Sequence, residues 1–433
     1  MEEINRDHEF DLYSNERKTY LKVRNMQGEI MQQTICIAGK NNIAVNVLEY
    51  CLEKYQNHNS IEIVCIPTEG DKGVNGWQRS LRWYCEQNHV NTVSLTEMYE
   101  VENLLFLSVE FDKIIDVKKF RSNKLFNIHF SLLPRYKGMY PSVLPILFCE
   151  RKTGVTLHRI REGIDTGEII DQEEIKIKIE DSSLDIYQEL NLIGAKIVIK
   201  NIEKLLSGEF TCKKQKATGS TYFSVGAIDY KNLSLNLRCT AFQVCNQVRA
   251  FAFRPYQLVS YGGSGLIAGK VTKAISTQPP GTVLEENDIC YIVSTIDYNV
   301  ILYKDVLDVL FEAIKNNDNK NAIYYCSCKK IINDRDEHGW TPLIVATYFN
   351  NKEMVEWLVE NGADIYTVNN NGTNLLMYAK EAYKRTGDNT LYLFYCAKGL
   401  RENMKDFFGR DLYYYLKKDG IELTTIKGNR IVK

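Results

Sequence analysis

No stretch of this sequence is both long enough and apolar enough to span a bilayer. Residues 1–33 are too polar for a secretory leader, so a cytoplasmic setting is expected. An excess of one charge is missing as well. Lys and Arg number 54 against 55 Asp and Glu, a formal net charge of −1. A general nucleic-acid binder carries a basic excess or stripe, so that class is disfavoured. The twelve cysteines do not have the spacing of a metal site. Cys326 and Cys328 form one C-x-C pair, with no second pair and no His doublet to complete it. Most of the others sit in apolar segments such as TICIA and IVCIP, where Cys behaves as a small hydrophobe. Reduced, buried thiols are expected, and no metal. A G-x-G-x-x-G is also lacking after the first apolar run, where only Gly39 stands, which argues against a dinucleotide.

At 433 residues the chain exceeds one ordinary core, and two to four domains are expected. Residues 1–33 are charged and weakly periodic, and read as a loosely attached N-terminal extension. From residue 34, TICIAGKNNIAVNVLEYCLEKY passes from a short apolar run to a helical face at positions 43, 47, 48, 51, 52 and 55. SIEIVCIP reads as a strand and GWQRSLRWYCEQN as a helix, with TVSL, LLFLSVEF and KIIDV as further apolar runs. This alternation predicts a Rossmann-like α/β domain over 34–229 with a mostly parallel sheet. SSLDIYQELNLIGAKIVIKNIEKLLSG predicts a long helix with an Asp/Ser start and a Gly stop. Residues 230–304 hold one helix and then Gly- and Pro-punctuated runs, the pattern of a small α+β domain. In 305–433, Gly339 and Gly372 lie 33 residues apart, and DEHGWTPLIVATYFNNKEMVEWLVENGADI resembles the all-α ankyrin repeat. A helical pair upstream reads as a cap, and a looser copy begins at FFGRDLYYYLKKDG. With so few repeats, the tail is expected to lean on the rest of the chain.

The segment FNIHFSLLPRYKGMYPS, residues 126–142, ends an apolar run on two polar side chains before a Pro and a Gly break it. On a strand, Asn127 and His129 face the same way. Two such groups side by side in a buried strand need partners or a task. Ligands in α/β sheets gather at the carboxyl ends of strands, where this pair lies.

FNIHFSLLPRYKG followed by IDTGEI resembles the signature of the 10-formyltetrahydrofolate-dependent formyltransferases, N-x-H-x-S-x-L-P-x-x-x-G with a later D-x-G. The likeness extends over about residues 34–304. It implies a catalytic set of Asn127, His129 and Asp165, with no metal. Formyl transfer to an amine passes through a tetrahedral oxyanion, which an Asn amide stabilises by roughly 3 kcal/mol at comparable sites. His129 suits removal of the amine proton, and Asp165 suits holding the imidazole. Asp-Thr-Gly is also ordinary turn chemistry, and the two roles coexist. His158, in VTLHRI, reads as a satisfied core residue. The resemblance further implies that the pterin of the folate lies against backbone at Leu107, Ser108 and Val109, and again at Glu162 and Gly163.

The amine remains to be chosen among initiator tRNA, glycinamide ribonucleotide and nucleotide-linked amino sugars. The near-neutral charge speaks against methionyl-tRNA formylation, which needs a basic track for phosphates. The loop TEGDKGVNGWQRS resembles the corresponding segment of the dTDP-amino-sugar N-formyltransferases, with Lys72, Trp77, Gln78 and Ser80 as candidate substrate contacts. Trp77 and Trp83 have core packing as their plain alternative, preferred for Trp83. Tyr222 either stacks on the nucleotide base or packs, and Asn246 and Arg249 are candidate nucleotide contacts. The implied protein is a sugar N-formyltransferase with an ankyrin tail, acting on dTDP-3-amino-3,6-dideoxy-D-glucose for surface polysaccharide (O-antigen) and forming a homodimer through its second domain. The alternatives are a methionyl-tRNA formyltransferase, and an ankyrin interaction protein with a vestigial core. Within the tail, Tyr348, Phe349 and Tyr413 to Tyr415 include core residues. Trp340 is expected to stand exposed at a turn tip and to bind a second nucleotide sugar, with protein docking as the alternative.

Overall fold

The computed structural model describes residues 32–427, apart from Gln56 and Pro255. The expectation for residues 1–33 therefore falls almost wholly outside the described residues.

Strands β1 (Gln33–Gly39), β2 (Ile61–Pro67), β3 (Asn91–Thr92), β4 (Leu104–Val109) and β5 (Lys124–His129) are parallel neighbours in the order β3-β2-β1-β4-β5. Every residue of β4 is buried, as a strand covered on both faces requires. Helix α1 (Asn41–Tyr55) buries Ile43, Val47, Leu48, Cys51 and Tyr55, the face that the periodicity predicts. GWQRSLRWYCEQN is helical only as α2 (Leu81–Gln87), because the Ser80 hydroxyl accepts from Trp83 N–H and starts the helix there. Within the apolar run TVSL, Ser94 caps α3 (Leu95–Tyr99) in a reciprocal box with Glu97, so only Thr92 of that run lies in a strand, β3.

After β5 the chain makes β6 (Lys137–Gly138) and α4 (Leu144–Leu147), then reverses. Strand β7 (Lys152–Arg159) pairs antiparallel with β5, and β8 (Ile169–Lys176) antiparallel with β7, which completes a seven-stranded sheet. Helix α5 (Ser183–Ser207) starts at a capping box of Ser182 and Asp185 and stops at Gly208 in a left-handed turn. Strand β9 (Tyr222–Phe223) pairs with β6.

Helix α6 (Ala241–Phe251) packs on an antiparallel sheet of β10 (Ser260–Tyr261), β11 (Ser264–Ile275), β12 (Val283–Glu286), β13 (Cys290–Val293) and β14 (Tyr298–Lys304). Val244, Val248, Leu266, Val300 and Leu302 join the same buried cluster as Ile43 and Leu190 of the first domain. The two domains thus share a core.

Helix pairs α7 (Leu307–Lys315) and α8 (Asn319–Tyr325), α9 (Pro342–Tyr348) and α10 (Lys352–Glu360), α11 (Leu375–Thr386) and α12 (Thr390–Ala397), and α13 (Leu412–Asp419) and α14 (Leu423–Ile426) stack into a solenoid. Gly339 and Gly372 both adopt positive φ, +80° and +79°. A side chain at Gly339 would strike Asn370 of the next turn, so glycine allows successive turns to stack closely. Their backbones also bond, Asn370 N–H to His338 and Phe407 N–H to Asn371. Ile267 of β11 enters the solenoid core. Trp83 meets Phe408 edge to face, with centroids 5.2 Å apart, and Lys330 pairs with Asp185. The tail leans on the domains before it, as its small size demands.

Candidate active site

Three adjacent strands each contribute one polar side chain to a single row. Ser108 on β4 lies opposite Asn127 on β5, and Asn127 lies opposite His158 on β7. Directly opposed residues share a sheet face, so the register alone brings the three together. Ser108 Oγ donates to Asn127 Oδ1 at 2.7 Å, and Asn127 Nδ2 stands 3.0 Å from His158 Nε2. His129, two residues on, points the same way and is 7% exposed.

Asp165 reaches this row from the loop between β7 and β8. Its φ is +54°, a conformation that short polar side chains tolerate. Gln215 donates to the carbonyls of Asp165 at 2.8 Å and Gly167 at 2.7 Å, tying the loop down from behind. The Asp165 carboxylate accepts from Gly138 N–H at 2.8 Å and lies 3.4 Å from both His129 Nδ1 and Asn127 Nδ2. This is why the motif needs its glycine. At Gly138 φ is +85°, and a Cβ would lie 2.3 Å from the Phe223 carbonyl oxygen.

The protonation pattern follows from the partners. His129 Nε2 lies 2.7 Å from the Tyr136 carbonyl, which only accepts, so Nε2 carries the proton. In the neutral ring, Nδ1 is then a bare lone pair beside Asp165. Burial pushes the His129 pKa below its ordinary value, against the pull of Asp165, which keeps that lone pair free near neutral pH. Burial would raise the Asp165 carboxyl, but His129, His158 and the Gly138 N–H outweigh it and hold the group well below the carboxylate range. The cluster combines a basic nitrogen, a permanent anion able to stabilise its protonated form, and an amide N–H able to meet an oxyanion.

The other expected site residues are more scattered. Leu107 and Val109 are buried in β4, while the Ser108 side chain is engaged with Asn127. Glu162 and Gly163 lie exposed on the loop that carries Asp165, with the Glu162 carboxylate 3.1 Å from Lys118. This loop presents backbone and the exposed Ile164 beside Asp165, the surface that a folate would meet. Lys72 is exposed and donates to its own loop at Glu69. Gln78 accepts from Asn42 N–H at the start of α1, and Ser80 caps α2, so both serve as scaffold. Trp77 packs among Tyr187, Phe253 and Tyr256. It lines an interdomain cleft of about 510 Å³ that Asn127, His129 and Asp165 do not line. Tyr222 is exposed beside Gly138. Asn246 and Arg249 are buried and bonded to each other, and Arg249 also donates to the carbonyls of Lys178 and Asp181. Their polar groups are occupied inside the chain. Trp340 is half-buried against Tyr348 and Tyr378, with both centroids at 5.2 Å, and does not project freely from its turn as expected.

Sequence reasoning missed His158 and Gln215. His158 is buried as a core residue would be, but its ring bonds to the Asn127 amide. Its one legible signal was alternation within VTLHRI, which places it on the face of Thr156, opposite His129. Gln215 had no local signal.

A formyl transferase family model matches residues 36–202, and an ankyrin-repeat model of three copies matches 304–405. A methionyl-tRNA formyltransferase from Coxiella burnetii is 27% identical over 257 residues, 56% of this chain and 80% of that protein. An N-formyltransferase from Helicobacter canadensis, crystallised with folinic acid and dTDP-3-aminofucose, is 41% identical with a TM-score of 0.59, over 63% of this chain and all of that one. WlaRD, a sugar 3N-formyl transferase crystallised in the presence of dTDP and 5-N-formyl-THF, is 40% identical with a TM-score of 0.59, over 64% of this chain and 99% of that one. Matched along essentially the whole length of two such enzymes, and with the Asn127, His129 and Asp165 cluster assembled, the chain belongs to the sugar N-formyltransferases, extended by ankyrin repeats.

Proposed function

We propose that the protein moves a formyl group from 10-formyltetrahydrofolate to the amine of a dTDP-linked 3-amino sugar, best taken as dTDP-3-amino-3,6-dideoxy-D-glucose. The observation that carries this reading is the bare Nδ1 of His129 facing Asp165, within one cluster with the Asn127 amide. In the proposed reaction, the amine nitrogen bonds to the formyl carbon and the bond from that carbon to N10 of the folate breaks. His129 Nδ1 takes the amine proton and hands it to N10 as the carbon–N10 bond breaks, giving tetrahydrofolate; Asp165 stabilises the intervening imidazolium, and Asn127 donates to the formyl oxygen as it gains charge. The 3-amino position is favoured by the dTDP-3-aminofucose crystallised with one relative and by the 3N-formyl transfer of the other. The near-neutral charge weighs against a tRNA substrate.

The product would enter surface polysaccharide. A cytoplasmic setting suits twelve cysteines that form no disulfide. No helix among the described residues is long and apolar enough to cross a membrane. The exposed Val271, Ile275, Val283 and Leu284 on the second-domain sheet make that sheet the proposed dimer face. The cleft beside Gly339 is the proposed place for a second nucleotide sugar near Trp340; unchanged calorimetric binding by Trp340→Ala would exclude a role for that ring.

The decisive assay supplies 10-formyltetrahydrofolate with dTDP-linked 3-amino sugars, their 4-amino isomers or methionyl-tRNA, and follows release of tetrahydrofolate. Release only with 3-amino sugars is expected. Release with methionyl-tRNA alone would overturn the reading, and release with none would favour a vestigial core.

A further inference from the structure

His158 is 2% exposed; its Nδ1 meets one backbone carbonyl, while its Nε2 lies beside both the Asn127 amide and, at 3.5 Å, the Asp165 carboxylate. Nδ1 lies 2.8 Å from the Arg159 carbonyl, which cannot donate, so the proton sits on Nδ1. Nε2 is then a lone pair, 3.0 Å from the Asn127 amide nitrogen, and it accepts a hydrogen bond from that group. At the other end of the same amide, the Ser108 hydroxyl donates to the oxygen at 2.7 Å. The flipped amide would set its oxygen against the His158 lone pair and its nitrogen beside the acidic cluster no longer.

We propose that His158 is a positioning residue that fixes the Asn127 carboxamide in one orientation, with its second N–H held toward the reaction centre. The proposal rests on the formyl-transfer reading. That second N–H has only a long contact, 3.4 Å, with Asp165 Oδ1, so it is free to turn to a developing oxyanion. A residue that merely fills the core needs any satisfied polar atom; His158 uses its only acceptor to hold the group that meets the transition state. Without the acceptor, the amide samples the flipped state and turns an oxygen toward the oxyanion. The loss then falls on turnover, because ground-state binding does not depend on that orientation.

The test is a cycle of His158→Phe, Asn127→Ala and the double variant, with thermal melting to check folding. His158→Phe should lower kcat by about 10- to 100-fold and leave both KM values within about threefold. In the Asn127→Ala background the same change should cost less than about twofold, since His158 acts through Asn127. His158→Gln, whose carbonyl can accept from the amide, should recover about tenfold of the loss. If His158→Phe does not fold, His158→Leu replaces it in the cycle. Equal losses in both backgrounds, or a single variant within about twofold of wild type, would overturn the inference alone. A wild type that transfers no formyl group overturns the functional reading and this inference with it.

Discussion

Asp185 serves two parts of the molecule with one carboxylate. Its Oδ2 accepts from Ser182 N–H and hydroxyl, both at 2.7 Å, to close the capping box of α5, and it also receives Lys330 from the ankyrin tail. Burial would raise its pKa, but Lys330 and Ser182 outweigh burial and lower it. The folded state therefore favours the charged form. That stability is present above the unfolded pKa and is lost as pH falls through the lower folded one. Asp185→Ala should destabilise by about 1–2 kcal/mol, and Lys330→Ala by under about 1 kcal/mol because the pair is partly exposed. Urea titrations of both variants check this; equal losses would remove the capping box from the account.

Asn127→Ala and Asp165→Asn should each lower kcat by about two to four powers of ten, with the fold retained. His129→Ala should do likewise. Steady-state rates with circular dichroism test all three, and near-normal turnover in Asn127→Ala would remove the oxyanion role.

The acid limb of kcat/KM should reflect His129. Its folded pKa lies below the ordinary value because burial disfavours the imidazolium. Protonation blocks the bare Nδ1, so activity falls as pH drops through that lowered pKa, below about 6.5. A pH profile of the free enzyme measures this, provided that the separate ionisation of the sugar amine is fitted. A His129 limb above 6.5 would contradict the burial argument.

Trp77→Ala should raise KM for the sugar nucleotide more than for the folate. Because the ring touches Tyr187, Phe253 and Tyr256, the variant should also lose stability, by about 2–4 kcal/mol. Equal rises in both KM values would leave packing as the whole role of Trp77.

Periodicity carried most of the architecture. The α1 face, the capped start of α5 and the glycine period of the tail are all local patterns that the folded chain uses. Asn127 and His129 were legible because a strand alternates, and because two polar groups side by side on a largely buried strand need explaining. His158 was not, because an isolated histidine gives no hint of which strand lies beside it or in what register. The engagement of Asn246 and Arg249 was hidden for a similar reason. Arg249 meets carbonyls of residues 178 and 181, far away in sequence, and no local pattern encodes that meeting.

Strand β5 is hydrogen-bonded along both edges, to β4 and to β7, so Asn127 and His129 move only as the sheet moves. The loop bearing Asp165 is pinned instead at a few points, by Gln215 and by Gly138. A part clamped along its length and a part pinned at points differ in compliance. Amide exchange should be slow through β5 and fast around the exposed Ile164. The loop that carries Asp165 is therefore expected to yield before β5 does.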